Sequence, residues 1–279
     1  PVFCDIDEKT LNLDPKEIEK HITKKTKAIL AIDIFGHSAD WDEILSIAEK
    51  YKLKVIEDSA EAVGGEYKGK KCGSFGDASI FSFYPNKQFT TGEGGVVLTD
   101  DKNIAELCQS MANQGRKVEG GKWLEHVRLG YNYRLPEIQC AIGLVQLSRE
   151  KEILQKREEV ARLYTEKIRK IKGVEIPFVA PNVKMSWFVY VPRLSKEHTK
   201  EQRDKVIAYL ENKGIQSRAY FQVLHLQPLY KKMFGYKEGD FPIAEDVSNR
   251  TIALPFFTRI SEEEIDYVVN TLKEAMDTL

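Results

Sequence analysis

A single lysine, Lys87, stands in the stretch FSFYPNKQFTTGEGG between an apolar run and a cluster of threonines and glycines. An ammonium at the end of a buried strand is costly to desolvate, so a lysine in that place needs a use. Two other polar groups fall at strand ends nearby: Asp58, which closes KVIED, and Ser82, five residues before the lysine. Taken singly, each is ordinary: a turn lysine, an N-cap aspartate for a segment starting at Ser59, and a hydroxyl near a glycine-rich turn. Together they match what a phosphorylated pyridine aldehyde, pyridoxal phosphate, requires of a protein. The amine would bond the aldehyde carbon. The carboxylate would keep the ring nitrogen protonated, so that the ring draws electrons, and the hydroxyl and glycine amides would hold the phosphate. An amine released from that bond is also a base, with a pKa that desolvation lowers. A face for the ring is the remaining requirement, and these residues leave it unassigned.

These groups have to be positioned by the elements around them. From residue 27 to 100, the apolar run KAILAIDIFG, the helically spaced DWDEILSIAEKYKL, then KVIEDS, ASIFSFY and VVLTD alternate as α/β units. Continuous apolar strands separated by an amphipathic helix predict a mostly parallel sheet flanked by helices on both faces, with ligand groups gathered beyond the carboxyl ends of the strands. DKNIAELCQSMANQG predicts a helix stopped by Gly115, and RKVEGGKWLEHVRLGYNYRL, with little periodicity, predicts a functional loop. A long helix is expected from Pro136, with Leu147, Leu154, Ala161 and Ile168 in one stripe. Beyond Gly173, the strand-like MSWFVYVPRL and TIALPFF mix with the helical KEQRDKVIAYLENKG and SEEEIDYVVNTLKEAM, which suggests a small α+β unit. The expected division is a large domain over 1–150, a linking helix over 151–172 and a small domain over 173–279.

Composition narrows the class. The 279 residues, 42% of them hydrophobic, can bury a sizeable core. With 42 basic against 43 acidic residues and no long single-sign block, neither nucleic acid nor an anionic membrane surface is implied as a partner. Cys4, Cys72, Cys108 and Cys140 are scattered, which argues against a zinc site or a disulfide framework and favours a reducing, cytoplasmic setting. No membrane-spanning apolar run or targeting signal is visible.

The segments IEDSAEAVGGEYKGKKCGSFGDASIFSFYPNKQFTTGEGGVVLTDD and LGYNYRLPEIQCAIGLVQL closely resemble the DegT/DnrJ/EryC1/StrS sugar aminotransferases. The likeness runs along essentially the whole chain. It implies the fold type I architecture of pyridoxal-phosphate enzymes, the aspartate aminotransferase-like fold. Carried over by motif, Lys87 matches the lysine that bonds the cofactor, Asp58 the partner of the pyridine nitrogen and Ser82 a phosphate ligand. Glu61 matches a position near the cofactor ring, and Asn132, in GYNYR, an asparagine that reaches the phosphate of the neighbouring subunit, so that a homodimer shares its active sites. Members with histidine in place of the lysine are sugar dehydratases, and Lys87 therefore favours transamination. MSWFVYVPRL, SRAYFQVLHLQPLYKKMFGYKEGDFPIAED and ALPFF resemble the branch that contains GDP-perosamine synthase. That likeness implies amination at C4 of a nucleotide-linked 4-keto-6-deoxyhexose with glutamate as donor, in the building of surface polysaccharide. Tyr220, His225 and Trp123 are the substrate-side candidates, although His225, beside Leu224 and Leu226, also suits plain packing. The chain starts at Pro1 in the strand-like PVFCDID. The N-terminal segment of the family, with its Gly-Thr helix start and ring-stacking residue, has no counterpart here, so a fragment is expected. Alternative readings are a catalytically silent binding or scaffold homologue and a sugar dehydratase.

Overall fold

The computed structural model describes residues 1–279. In chain order its elements are α1 (Pro15–His21), β1 (Ala28–Ile32), α2 (Trp41–Tyr51), β2 (Lys54–Asp58), β3 (Glu66–Tyr67), β4 (Lys70–Lys71), β5 (Ala78–Ser82), β6 (Gly95–Leu98) and α3 (Lys102–Ala112). After a long loop come α4 (Glu137–Ser148), α5 (Glu150–Ile168), β7 (Val174–Glu175), β8 (Val183–Lys184), β9 (Arg193–Leu194), α6 (Lys200–Asn212), α7 (Pro228–Phe234), α8 (Pro242–Arg250) and α9 (Glu262–Asp277). No helix is long and apolar enough to cross a membrane.

The main sheet runs β1-β2-β5-β6, with β1, β2 and β5 parallel and β6 antiparallel to β5. Its α/β character agrees with the sequence, but its cover does not. One face carries Ile29, Ala31 and Val55, buried against Ile18 of α1 and Trp41, Ile44 and Ala48 of α2. The other face leaves Leu30 56% and Val97 45% exposed. Side chains alternate across a strand, and within this chain α1 and α2 both pack on one side.

The second apolar core belongs to the C-terminal half. Val160, Ala161, Tyr164 and Ile168 of α5 pack there with Val206 and Leu210 of α6 and Ile265, Val268 and Leu272 of α9. The expected long helix is two helices, broken at Arg149. Of its stripe, Ala161 and Ile168 are buried in this core while Leu147 is exposed. MSWFVYVPRL and TIALPFF do not form a continuous ladder. They meet through isolated bridges, Tyr190 with Leu254 and Arg193 with Thr251, and only Arg193–Leu194 joins a strand pair, with Val174–Glu175. Pro192 and Pro255 lack the N–H groups that would extend the ladder.

The first residues are tied into this half. Helix α8 has no side-chain cap of its own; instead Asp5 accepts hydrogen bonds from the backbone N–H groups of Ile243 and Ala244, each at 2.9 Å. A carboxylate there satisfies two orphan donors and faces the positive end of the helix. Phe3 packs edge-on against Tyr230 and Phe241 beside it.

Candidate active site

Parallel pairing places the carboxyl ends of β1, β2 and β5 at one edge. Ile32 pairs with Asp58, and Asp58 with Ile80. Ser82 lies two residues beyond Ile80, so with the two-residue period of a strand it shares the face of Asp58. The chain then turns: the Lys87 N–H donates to the Tyr84 carbonyl, and the Thr91 N–H to that of Phe83, which brings Lys87 back over the sheet edge.

The Lys87 Nζ lies 3.3 Å from Glu61 Oε1 and 4.2 Å from the centroid of the Phe188 ring, with little of either charged side chain exposed. A buried ion pair and an aromatic face hold the amine together. Glu61 Oε2 accepts the backbone N–H of Phe35 at 2.8 Å. Burial pushes the Glu61 carboxyl above its ordinary range, and the charge of Asp58 adds to this while Lys87 opposes it, so the three groups share one electrostatic neighbourhood.

Asp58 is not a helix N-cap, because the segment after it is a series of turns; its Oδ1 accepts the Ala60 N–H at 3.1 Å. That is the one hydrogen bond of its carboxylate within the chain, which leaves Oδ2 available. The Ser82 Oγ accepts the Tyr84 N–H at 3.3 Å and keeps its own proton to donate. The Tyr220 ring stacks on Phe35 with centroids 5.7 Å apart, and burial together with the nearby Glu61 charge pushes its hydroxyl up to about 12.

Not every candidate joins this cluster. His225 is buried elsewhere, with Nε2 2.8 Å from Glu245 Oε1 and its ring edge-on to Phe241. Asn132 lies in an exposed extended segment that docks on the end of α3, where the neighbouring Tyr131 N–H donates to the Met111 carbonyl. Trp123 is 89% exposed on the loop before it.

Sequence reading missed the frame behind the lysine. Gln88 Nε2 donates to the carbonyls of Glu61 and Ser186 and to the Ser186 hydroxyl, which itself donates to the Val63 carbonyl. Phe35 takes a left-handed φ of 57°, and the adjacent Gly36, at φ 90°, is pressed so close to the Ser186 carbonyl that a Cβ would sit 1.6 Å from its oxygen. Phe35 and Phe188 read in sequence only as apolar residues. The glycine after an apolar strand was the one visible sign of this close approach.

The donor set fits pyridoxal phosphate. It offers an amine, a carboxylate with a free oxygen for the ring nitrogen, and a hydroxyl with a free proton for a phosphate oxygen, all at one sheet edge.

Comparison with known proteins agrees with that chemistry. The model of the DegT/DnrJ/EryC1/StrS aminotransferase family matches residues 1–273. The chain is 38% identical to GDP-perosamine synthase of Escherichia coli O157:H7 over 98% of this chain and 72% of that protein. It is 36% identical to dTDP-3-amino-3,6-dideoxy-alpha-D-galactopyranose transaminase of Aneurinibacillus thermoaerophilus, again over 98% of this chain and 72% of the other. The PLP form of the Streptococcus pneumoniae protein Spr1654 superposes with a TM-score of 0.93 at 29% identity, covering 100% of this chain and 75% of that one. The chain therefore belongs to the DegT/DnrJ/EryC1/StrS aminotransferases, pyridoxal-phosphate-dependent enzymes of fold type I.

Proposed function

We propose that this chain moves an amino group from glutamate to the keto carbon of a nucleotide-linked deoxysugar, with C4 of GDP-4-keto-6-deoxymannose as the first substrate to try. The observation that carries this reading is the Lys87 amine, held 3.3 Å from Glu61 at the sheet edge where Asp58 and Ser82 end their strands. When bound, pyridoxal phosphate supplies the electron sink that acidifies the Cα–H of the amino donor.

The residues divide the remaining work. Lys87 would anchor the cofactor and, when its amine is free, would act as the base that takes the proton from the donor Cα and delivers it to the cofactor's aldehyde carbon. Asp58, with Oδ2 free, would keep the ring nitrogen protonated. Ser82 would donate a hydrogen bond from its hydroxyl to a phosphate oxygen. Glu61 accepts a proton from the Lys87 amine and keeps it pointed inward. Tyr220, stacked on Phe35, walls the side where the sugar enters. A lysine at position 87, where a dehydratase would carry histidine, favours amine transfer.

The reading includes a homodimer in the cytoplasm, in which Asn132 reaches the phosphate site of the second copy and Trp123 belongs to the sugar side. The exposed position of Asn132 supports its action outside its own subunit. So does the apolar surface around it: Leu129 is 81% exposed and Ile138 78%.

Borohydride reduction of the protein loaded with pyridoxal phosphate, followed by peptide mapping, should mark Lys87. Glutamate-dependent formation of 2-oxoglutarate in the presence of the keto-sugar nucleotide tests the reaction. Lys87→Arg should fold normally and lose turnover by at least about 100-fold. Cofactor held by protein with an unmodified Lys87 would overturn the assignment.

A further inference from the structure

Two buried arginines of this chain, and the half-buried Arg193, come with acid partners, and the buried Arg157 does not. Arg250 pairs with Asp246 at 2.6 Å, Arg203 with Asp204 at 2.7 Å, and Arg193 with Glu175 at 3.2 Å. Arg157, only 6% exposed on the inner side of α5, has no carboxylate within ion-pairing reach. Its guanidinium meets three backbone carbonyls instead. Nη1 donates to Phe188 at 3.0 Å and to Trp187 at 3.3 Å, and Nη2 donates to Lys87 at 3.3 Å. The planar group sits 5.5 Å over the Phe256 ring, and its Nε has no hydrogen-bond partner.

An unpaired guanidinium in a packed interior is a poor choice for stability alone, since an apolar side chain of similar volume usually serves as well or better. What distinguishes Arg157 is where its donors end. Lys87 and Phe188 are the two residues whose side chains meet, amine over ring, at 4.2 Å. Their main chains come from segments 101 positions apart in sequence, and one rigid fork grips both. A lysine could not span two carbonyls with the same fixed geometry, being a point charge on a flexible stem.

We propose that Arg157 is a positioning residue. It locks the backbones of Lys87 and Phe188 together, so that the amine is held over the aromatic ring in line with Glu61. This inference rests on the reading of Lys87 as the residue that carries the cofactor.

The test uses the full-length protein loaded with pyridoxal phosphate, with Arg157→Met, Arg157→Lys and Phe188→Leu variants. Three quantities are read: the rate at which borohydride marks Lys87, the pH midpoint of the visible absorption band of the bound cofactor, and the thermal midpoint. Arg157→Met is expected to alter the trapping rate at least about 5-fold and to shift the pH midpoint by more than about half a unit, because the amine is no longer fixed against Phe188 and Glu61. Arg157→Lys keeps the charge but not the fork, so it should alter the trapping rate and shift the midpoint in the same direction as Arg157→Met. Phe188→Leu leaves the fork intact and removes the ring, so it should move the midpoint without lowering the thermal midpoint as far as Arg157→Met does. If both Arg157 variants trap Lys87 at the wild-type rate and titrate as wild type, the inference fails. Should Arg157→Met not fold, the Arg157→Lys trapping rate decides alone. Absence of label at Lys87 in the wild type would instead refute the cofactor assignment, and the two failures are thereby told apart.

Discussion

At the scale of single residues, Lys87 and Glu61 depend on one another. Glu61 holds two donors at once, the Lys87 amine and the Phe35 N–H, and burial raises its pKa. A carboxyl whose folded pKa lies above its unfolded one favours folding at low pH, and that contribution is lost as pH rises through the folded value. Glu61→Gln removes the charge and keeps an acceptor for Phe35. Its stability should therefore fall less steeply than wild type just above the ordinary carboxylate range, as read by urea unfolding over a series of pH values. Glu61→Leu abandons both donors, and should cost about 3–5 kcal/mol in the same measurement, the usual penalty for breaking a buried pair.

At the scale of elements, the ends of β1 and β2 are joined by a proton count. The Asp33 Oδ2 and Glu57 Oε1 lie 2.6 and 2.9 Å from the single hydroxyl of Ser59, which has one proton to give. Glu57 also accepts the N–H groups of Gly73, Phe75 and Gly76 and the Ser79 hydroxyl. Burial and, after it, the Glu57 charge push the Asp33 carboxyl up to about 7, and below that pH Asp33 carries a proton of its own that it can donate to Ser59. The Asp33 Oδ1 remains an acceptor for Ala39 N–H and Trp41 Nε1. An asparagine has the same pattern of donor and acceptor. Because the folded pKa of Asp33 is raised, wild-type stability falls as pH climbs through it. Asp33→Asn should flatten that fall between about pH 5 and pH 8, again by urea unfolding. A variant as pH-sensitive as wild type would place the shared proton elsewhere.

At the scale of the whole molecule, the outstanding feature is apolar surface left in water. Helix α4 buries none of its residues, with Ile138 78%, Leu144 70% and Val145 59% exposed. A contiguous face of this kind marks an interface. The dimer reading makes it the contact with a second copy. Light scattering should report a mass near twice the 32.0 kDa of one chain. The double variant Ile138→Glu, Leu144→Lys should return a monomer that keeps its near-ultraviolet spectrum and loses glutamate-dependent turnover, since Asn132 would no longer reach its site. A variant that stays dimeric would move the interface off α4.

Some of this was readable along the chain and some was not. The types and spacing of Asp58, Ser82 and Lys87 were enough to name the cofactor chemistry, because each is the local end of a strand or turn whose apolar periodicity is written in consecutive residues. The two helices with capping boxes, at Thr199 with Gln202 and at Ser261 with Glu264, were legible for the same reason. The interrupted strands carried a local sign in Pro192 and Pro255, whereas the break at Arg149 has neither proline nor glycine to mark it in the helical pattern. Tertiary structure alone placed Glu61 against the lysine, kept His225 with Glu245 and left Trp123 in solvent. It alone brought Arg157 beneath two distant carbonyls. Chemistry that needs a residue type at a strand end survives in one dimension, whereas a contact between main chains a hundred positions apart exists only once the chain has closed on itself.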